Sequence, residues 1–490
     1  MSMNLIKRKT SAFAWICRIF KRLCEAPIVT LTEGIENFAM YSDTSGNPLL
    51  KKSQEESSLP SLHLPPNHQW QTATNLPLCL SSILPYKYTY PQCSPSLTFK
   101  SYQEKMSSTS PTFIKNPGGV IRCKAAVAWG AGEPMVIEEV EVNPPQPSEI
   151  RIKVVSTSLC RSDVTAWLSQ AQPPLFPRIF GHEASGIVES VGQEVTEFVE
   201  GDHVLTLFIG ECMNCKQCVS GKTNICQKLG LEFKGVMHSD QKTRFFVKGN
   251  PVYHYCAVSS FSEYTVVNSG CAVKIDKIAP LEKVCLFSCG TAAGFGAAWN
   301  VANVSKGSTV AIFGLGTVGL SVAQGAKLRG ASTIIGVDIN PEKIEKAKAF
   351  GVTDFINPND IDETVQQAIK RITDGGVDYS FECIGDTEMI NTALNSCCDG
   401  WGVTVTLGVA KTNPMVTCHY GLFLTGRTLK GSLFGGWKPK SDIPNLIDMY
   451  LKEEIKIDDL ITHNLPFNDI NKAFDLMVAG KCLRCVIHMP

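Results

Sequence analysis

Ser308-Thr309-Val310-Ala311-Ile312-Phe313-Gly314-Leu315-Gly316-Thr317-Val318-Gly319 decides the fold of this 490-residue chain. Its first half is a continuous apolar run, the pattern of a strand buried on both faces. Its second half is a G-x-G-x-x-G turn, after which Val318, Val322, Gly325 and Ala326 recur at helical spacing. A second apolar run, Thr333 to Val337, ends on Asp338, 19 residues past Gly319. The turn alone is a weak signal, but strand, turn, helix, strand and acid in this order form a dinucleotide-binding unit. Gly314, Gly316 and Gly319 let the backbone approach a pyrophosphate whose charge sits at the helix N-terminus, and Thr317 and Val318 complete that loop. The carboxylate of Asp338 can accept both ribose hydroxyls and repels a 2′-phosphate, so NAD is expected rather than NADP. Strand-like runs at 379–383 and 403–409 extend the parallel sheet.

Upstream the chemistry changes. Cys212, Cys215, Cys218 and Cys226 form a C-x2-C-x2-C-x7-C array. Four thiolates close a tetrahedral zinc site and leave no open position, which marks a structural ion. The x7 spacing argues against an iron–sulfur cluster on the same sulfurs. Cys160 and His182, 22 residues apart, offer one thiol and one imidazole and need a third ligand from elsewhere. A metal with three protein ligands keeps a fourth position for water or substrate, which marks a catalytic ion.

Composition narrows the class. Lysine plus arginine and aspartate plus glutamate number 46 each, so nothing favours a nucleic-acid or anionic-membrane partner. No apolar run approaches the ~20 residues of a membrane span. Twenty cysteines in 490 residues are too sparse for a disulfide scaffold and are grouped as metal ligands, so a reducing interior, the cytoplasm, is expected. The length predicts two to four domains.

Residues 1–118 stand apart. Lys7, Arg8, Lys9, Arg18, Lys21 and Arg22 lie among Phe13, Trp15, Ile16, Ile19 and Phe20 with no acid in the first 24 positions. That composition suits a transit peptide to plastid or mitochondrion. Pro60, Pro65, Pro66, Pro77 and Pro85 follow among serines with no sustained period, which predicts disorder. Met106 offers a second start, so the extension is expected either to target the chain or to be absent from the working protein. From Val120 onward, strands are predicted at 123–129, 149–157 (alternating Ile150, Ile152, Val154), 186–191, 203–208 and 263–267. Small residues at helical spacing run from 285 to 298. The last stretch reads as helices at 440–452 and 467–480, the latter with Ile470, Ala473, Phe474 and Met477 on one face.

C-R-S-D at 160–163, G-H-E at 181–183, the four-cysteine lobe, Cys289-Gly290 and G-L-G-T-V-G at 314–319 together resemble the zinc-dependent medium-chain alcohol dehydrogenases. The resemblance covers roughly 120–490 and is nearest to plant alcohol dehydrogenase-like members, with stretches at 261–267, 336–340 and 462–465 similar to the class III, glutathione-dependent formaldehyde dehydrogenase branch. It implies an α/β fold: a GroES-like β-rich catalytic domain from 119–290 and 434–490, with a Rossmann doubly wound parallel-sheet NAD-binding domain at 291–433 between. A homodimer joined through the Rossmann sheets is implied by the family alone. So are two zincs per subunit, a catalytic one on Cys160, His182 and Cys289 and a structural one on the lobe.

By the same resemblance Ser162 takes the alcohol proton, Asp163 orients His182 and Glu183 lies behind the metal. Arg161 and Arg484 match positions that grip the pyrophosphate, and Lys343 matches a contact to the adenosine ribose. Phe208 and Val409 match pocket-wall positions, and Ala293 replaces a threonine beside the nicotinamide. Arg244 matches the class III arginine that grips a glutathione carboxylate, while the aspartate of that clamp is replaced within 171–174. The implied activity is NAD-linked oxidation of a primary or secondary alcohol to an aldehyde or ketone. S-(hydroxymethyl)glutathione dehydrogenase and a catalytically silent NAD-binding paralogue stand as alternatives.

Thr165 occupies the position where the well-known branch ends its proton relay on histidine, and a threonine cannot act as a base. The chemical step is therefore expected to depend on pH more steeply than in histidine-bearing relatives. Thr165→His should flatten the pH–rate profile; an unchanged profile would count against this reading.

Overall fold

The computed structural model describes residues 118–169, 175–410 and 414–490. The transit-peptide and alternative-start readings, and the replaced aspartate at 171–174, lie outside those residues.

The strand Thr309–Phe313 lies inside a six-stranded sheet in which every neighbouring pair is parallel. The order is Asp354–Ile356, Thr333–Val337, Thr309–Phe313, Tyr379–Glu382, Val403–Thr406, Thr428–Gly431. Val310, Ala311, Ile312 and Phe313 are all buried, as a strand covered on both faces requires. Gly314 leaves the strand at φ +91°, a conformation that glycine reaches without a Cβ clash. The helix Thr317–Leu328 then starts at the loop, and a Cβ on Gly319 would meet the Gly314 carbonyl oxygen at 1.9 Å. The strand read at 403–409 ends at Thr406, where the chain turns toward the carboxyl edge of the sheet.

The β-rich part holds two further sheets. One pairs Ile121–Ala128 with Val136–Val142 and Arg178–Ile179, and carries Phe245–Val247 and Asn250–Val252 at its far side. The other runs Ala272–Lys274, His203–Thr206, Glu183–Val191, Glu149–Leu159, Arg484–His488, Ile461–Pro466, with Tyr264–Asn268 also on Glu149–Leu159. Alternation at Ile150, Ile152 and Val154 suggests one buried face, yet Arg151, Ser156, Thr157 and Ser158 are buried too. Barrel closure covers both faces, and Arg151 is satisfied there by two bonds to Glu189.

The last segment rejoins the first. Arg484–His488 runs antiparallel to Glu149–Leu159 with Cys485 opposite Leu159. The predicted face of Ile470, Ala473, Phe474 and Met477 is buried in the barrel core. This register sets Arg484 beside Cys160, the next residue after Leu159.

His254 sits in the same core, its ring 4.8 Å from that of Phe245 and its Nε2 accepting the Arg244 amide at 3.0 Å. Burial first, and the Arg244 and Arg178 guanidinia second, hold it down to about 3. The unfolded chain takes this proton near pH 6.5. His254 therefore stabilises the fold fully above about 6.5, and the contribution is lost as pH falls toward 3, by at most about 1.4 kcal/mol per pH unit. His254→Gln should flatten the acid limb of a plot of urea midpoint against pH.

Candidate metal and dinucleotide site

The strand Glu149–Leu159 ends at Cys160, which is the N-cap of the helix Arg161–Trp167. Asp163, fully buried in the first turn of that helix, accepts three hydrogen bonds. They come from Cys160 N (3.0 Å), Gly181 N (3.1 Å) and His182 Nδ1 (3.0 Å). With Nδ1 turned to Asp163, Nε2 of His182 faces the sulfurs and is the nitrogen that would bind a metal. Against the effect of burial, Asp163 and Cys160 raise the ring's pKa well above the ordinary value, so an ion would displace a proton there. Cys289 is the N-cap of the helix Gly290–Gly296. One ligand atom each from Cys160, His182, Glu183 and Cys289 falls within 4.8 Å of all the others. Two thiols, an imidazole and a carboxylate at this spacing are a donor set that fits zinc.

The electrostatics prepare the sulfurs. A hydrogen bond with Cys289 holds the Cys160 thiol well below its ordinary range against the opposing effect of burial, and Arg484 adds to the shift. Cys289 is displaced upward by the same bond and by burial. Burial pushes Glu183 up to about 7, against the pull of Arg484. Arg484 holds both oxygens of Glu183, Nε to Oε2 at 3.0 Å and Nη2 to Oε1 at 2.9 Å.

The lobe cysteines form the second centre. Cys212 and Cys218 sulfurs are 3.9 Å apart, as are those of Cys215 and Cys226. Zn–S bonds of about 2.3 Å in a tetrahedron give an S···S edge of about 3.8 Å, so the four sulfurs fit one zinc. Cys215 is the N-cap of the short helix Lys216–Val219 and accepts the amide of Cys218.

Around the first centre, Ser162 Oγ lies 3.3 Å from His182 Nε2. Phe208 meets the His182 ring edge-on at 5.6 Å and the Phe434 ring at 5.4 Å. Tyr255 gave no signal in the sequence, because its neighbours in the chain carry no motif. Its ring stands 5.6 Å from that of His182, and its hydroxyl donates to the Ser162 carbonyl at 3.0 Å. Val409 is exposed beyond the sheet edge, and its backbone packs against Gly385.

The dinucleotide loop is preformed. A Cβ at Gly316 would meet nothing within 4 Å, so the loop presents open backbone where a phosphate can approach. Asp338 accepts the amides of Leu315 (2.8 Å) and Asn340 (2.9 Å), and Lys343 Nζ at 2.7 Å. Its position at the loop and the neighbouring cation suit a pair of ribose hydroxyls, and the residues fit NAD. Arg161 is exposed and donates to the Met477 carbonyl at 3.4 Å.

Arg244 is held within the β-rich domain. Its guanidinium is buried and grips Glu149 with two bonds of 2.8 and 2.7 Å, while Asp240 lies at 3.1 Å. Glu149 and Asp240 thus match its charge within the β-rich domain, and Arg244 also lines a cavity with Asp240, Lys242 and Tyr253.

Comparison with known proteins agrees with this geometry. Residues 146–277 match the alcohol dehydrogenase GroES-like domain and 317–452 the zinc-binding dehydrogenase domain. The chain is 71% identical over 385 residues to alcohol dehydrogenase-like 6 of Arabidopsis thaliana, covering 79% of this chain and all of that one. It is 55% identical over 374 residues to alcohol dehydrogenase 1 of Petunia hybrida, covering 76% and 98%. Benzyl alcohol dehydrogenase of Acinetobacter calcoaceticus superposes with a TM-score of 0.70 at 32% identity, over 76% of this chain and all of the other.

Arg244→Met strands Glu149 as a buried charge. It should lower stability to urea by about 3–5 kcal/mol and leave KM for alcohol unchanged; a raised KM would place Arg244 at the substrate site.

Proposed function

This chain belongs to the zinc-dependent medium-chain alcohol dehydrogenases, and within that NAD-linked activity we propose that its substrate is a free alcohol rather than a glutathione adduct. The observation that carries this is Arg244, the matched anchor for glutathione, paired with Glu149 inside the barrel. Zinc, when bound, supplies Lewis acidity toward the alcohol oxygen, and NAD is the hydride acceptor. Cys160, His182 and Cys289 would hold the catalytic metal, and the lobe cysteines the structural one. Asp163 keeps the His182 tautomer fixed, and Ser162 Oγ is placed to receive the proton of the alcohol. Phe208 and Tyr255 set their rings edge-on to His182 and Phe434 packs on Phe208, an apolar surround that would limit bulk water at the reacting atoms.

Two features support a homodimer. Thr428–Gly431 is the edge strand of the parallel sheet, and an edge invites pairing with a second copy. Met415, Tyr420 and Leu424 nearby expose 82%, 71% and 69% of their surface, more than a monomer readily tolerates in one region. A reducing compartment, the cytoplasm, suits sixteen free cysteines among the described residues, and fractionation of the tagged chain would test it.

With a panel of free alcohols the purified chain should form NADH, with little response to added glutathione. Turnover only with formaldehyde plus glutathione would transfer the activity to the adduct. Tyr420→Glu together with Leu424→Glu should convert a dimer to a monomer in light scattering, and a wild type that is already monomeric would remove the dimer.

A further inference from the structure

Arg484 has five N–H hydrogens, and each has a partner. Nε and Nη2 bind Glu183 at 3.0 and 2.9 Å, and Nη2 also reaches Cys160 Sγ at 3.4 Å. Nη1 donates to Thr317 Oγ1 at 3.2 Å and to the Leu483 carbonyl at 3.1 Å. The Thr317 hydroxyl in turn donates to that same carbonyl at 3.1 Å. The arginine lies so close to the third metal-ligating loop that a Cβ on Gly290 would meet Nη2 at 2.4 Å. One planar cation therefore spans from the metal centre to the first residue of the helix that opens the dinucleotide loop.

Thr317 is the one loop side chain that can hold it there. The other positions of Gly314-Leu315-Gly316-Thr317-Val318-Gly319 carry no polar side-chain atom. The Thr317 side chain is buried, so its hydroxyl faces Arg484 and Leu483 rather than solvent.

We propose that the Thr317 hydroxyl is a clasp that holds Arg484 against the glycine-rich loop and thereby links dinucleotide binding to metal retention at Cys160, His182 and Cys289. The inference rests on the zinc and NAD reading above. An anion at the loop adds negative charge beside Nη1 and fixes that end of the guanidinium. Because the guanidinium is rigid and planar, fixing Nη1 fixes Nη2 and Nε, and with them Cys160 and Glu183. Without the hydroxyl, Nη1 keeps only Leu483, which belongs to its own strand end, and the connection to the loop is lost. Thr317 is a positioning residue that acts through Arg484.

The test measures coupling. Zinc loss from the full chain to a chelator would be followed by metal analysis, with and without saturating NADH, in wild type, Thr317→Ser, Thr317→Ala and Thr317→Val. The lobe zinc, which Arg484 does not touch, serves as the internal reference. NADH should slow loss of the catalytic zinc in wild type and Thr317→Ser by on the order of tenfold more than in Thr317→Ala and Thr317→Val, the scale of one hydrogen bond to a charged group. NADH affinity, read by fluorescence, should be less sensitive to zinc removal in the Ala and Val variants by the same factor, since linkage is reciprocal. Equal NADH protection in all four proteins would overturn the clasp, even if melting temperatures differ. Failure of wild type to bind NADH would instead overturn the reading on which the clasp stands.

Discussion

The carboxylate of Asp163 is the constraint from which the metal centre is built. It is fully buried and takes three N–H donors, two of them from residues that bear metal-ligating atoms. A buried carboxylate without such donors would be several kcal/mol too costly to keep ionised. With them it becomes the fixed point that joins two pieces of chain 22 residues apart. Cys160 is held by its own amide and His182 by its ring, so the sulfur and the nitrogen are set before any ion enters.

The sheet does the rest of the positioning. Cys160 follows the last residue of Glu149–Leu159, and Glu183 begins the strand paired with it. The C-terminal strand Arg484–His488 lies on the other side of the same central strand. Two strand registers thus bring together four residues, Cys160, His182, Glu183 and Arg484, that span most of the described chain. Cys289 arrives differently, from the helical passage that leads from the barrel into the parallel sheet.

Local spacing was what the sequence made legible. The lobe cysteines lie within 15 residues, and the strand–turn–helix of the dinucleotide unit is continuous, so both could be read without a fold. Cys160 and His182 could be paired on chemistry, and Cys289 only through resemblance. What stayed hidden depends on contacts far apart in the chain. Glu149 and Arg244 are 95 residues apart, and nothing near Arg244 announces that its charge is matched there. Arg484 meets Glu183 across 301 residues, and Tyr255 meets Ser162 across 93. Burial on both faces of Glu149–Leu159 likewise depends on closure of the barrel, which no single strand encodes.

Three of the metal-ligating cysteines, Cys160, Cys215 and Cys289, cap the N-termini of helices. Free N–H groups at such ends place partial positive charge beside the sulfur. Cys160 and Cys215 are held toward thiolate, while its bond to Cys160 and burial keep Cys289 toward the thiol until an ion takes its proton's place. A thiolate is the form that binds zinc, and it is also the form that peroxide attacks on the way to sulfenic and sulfinic acids. The two fates compete for the same electron pair. Zinc in this fold is therefore also a protecting group, and a subunit short of metal is one whose centre lies open to irreversible oxidation.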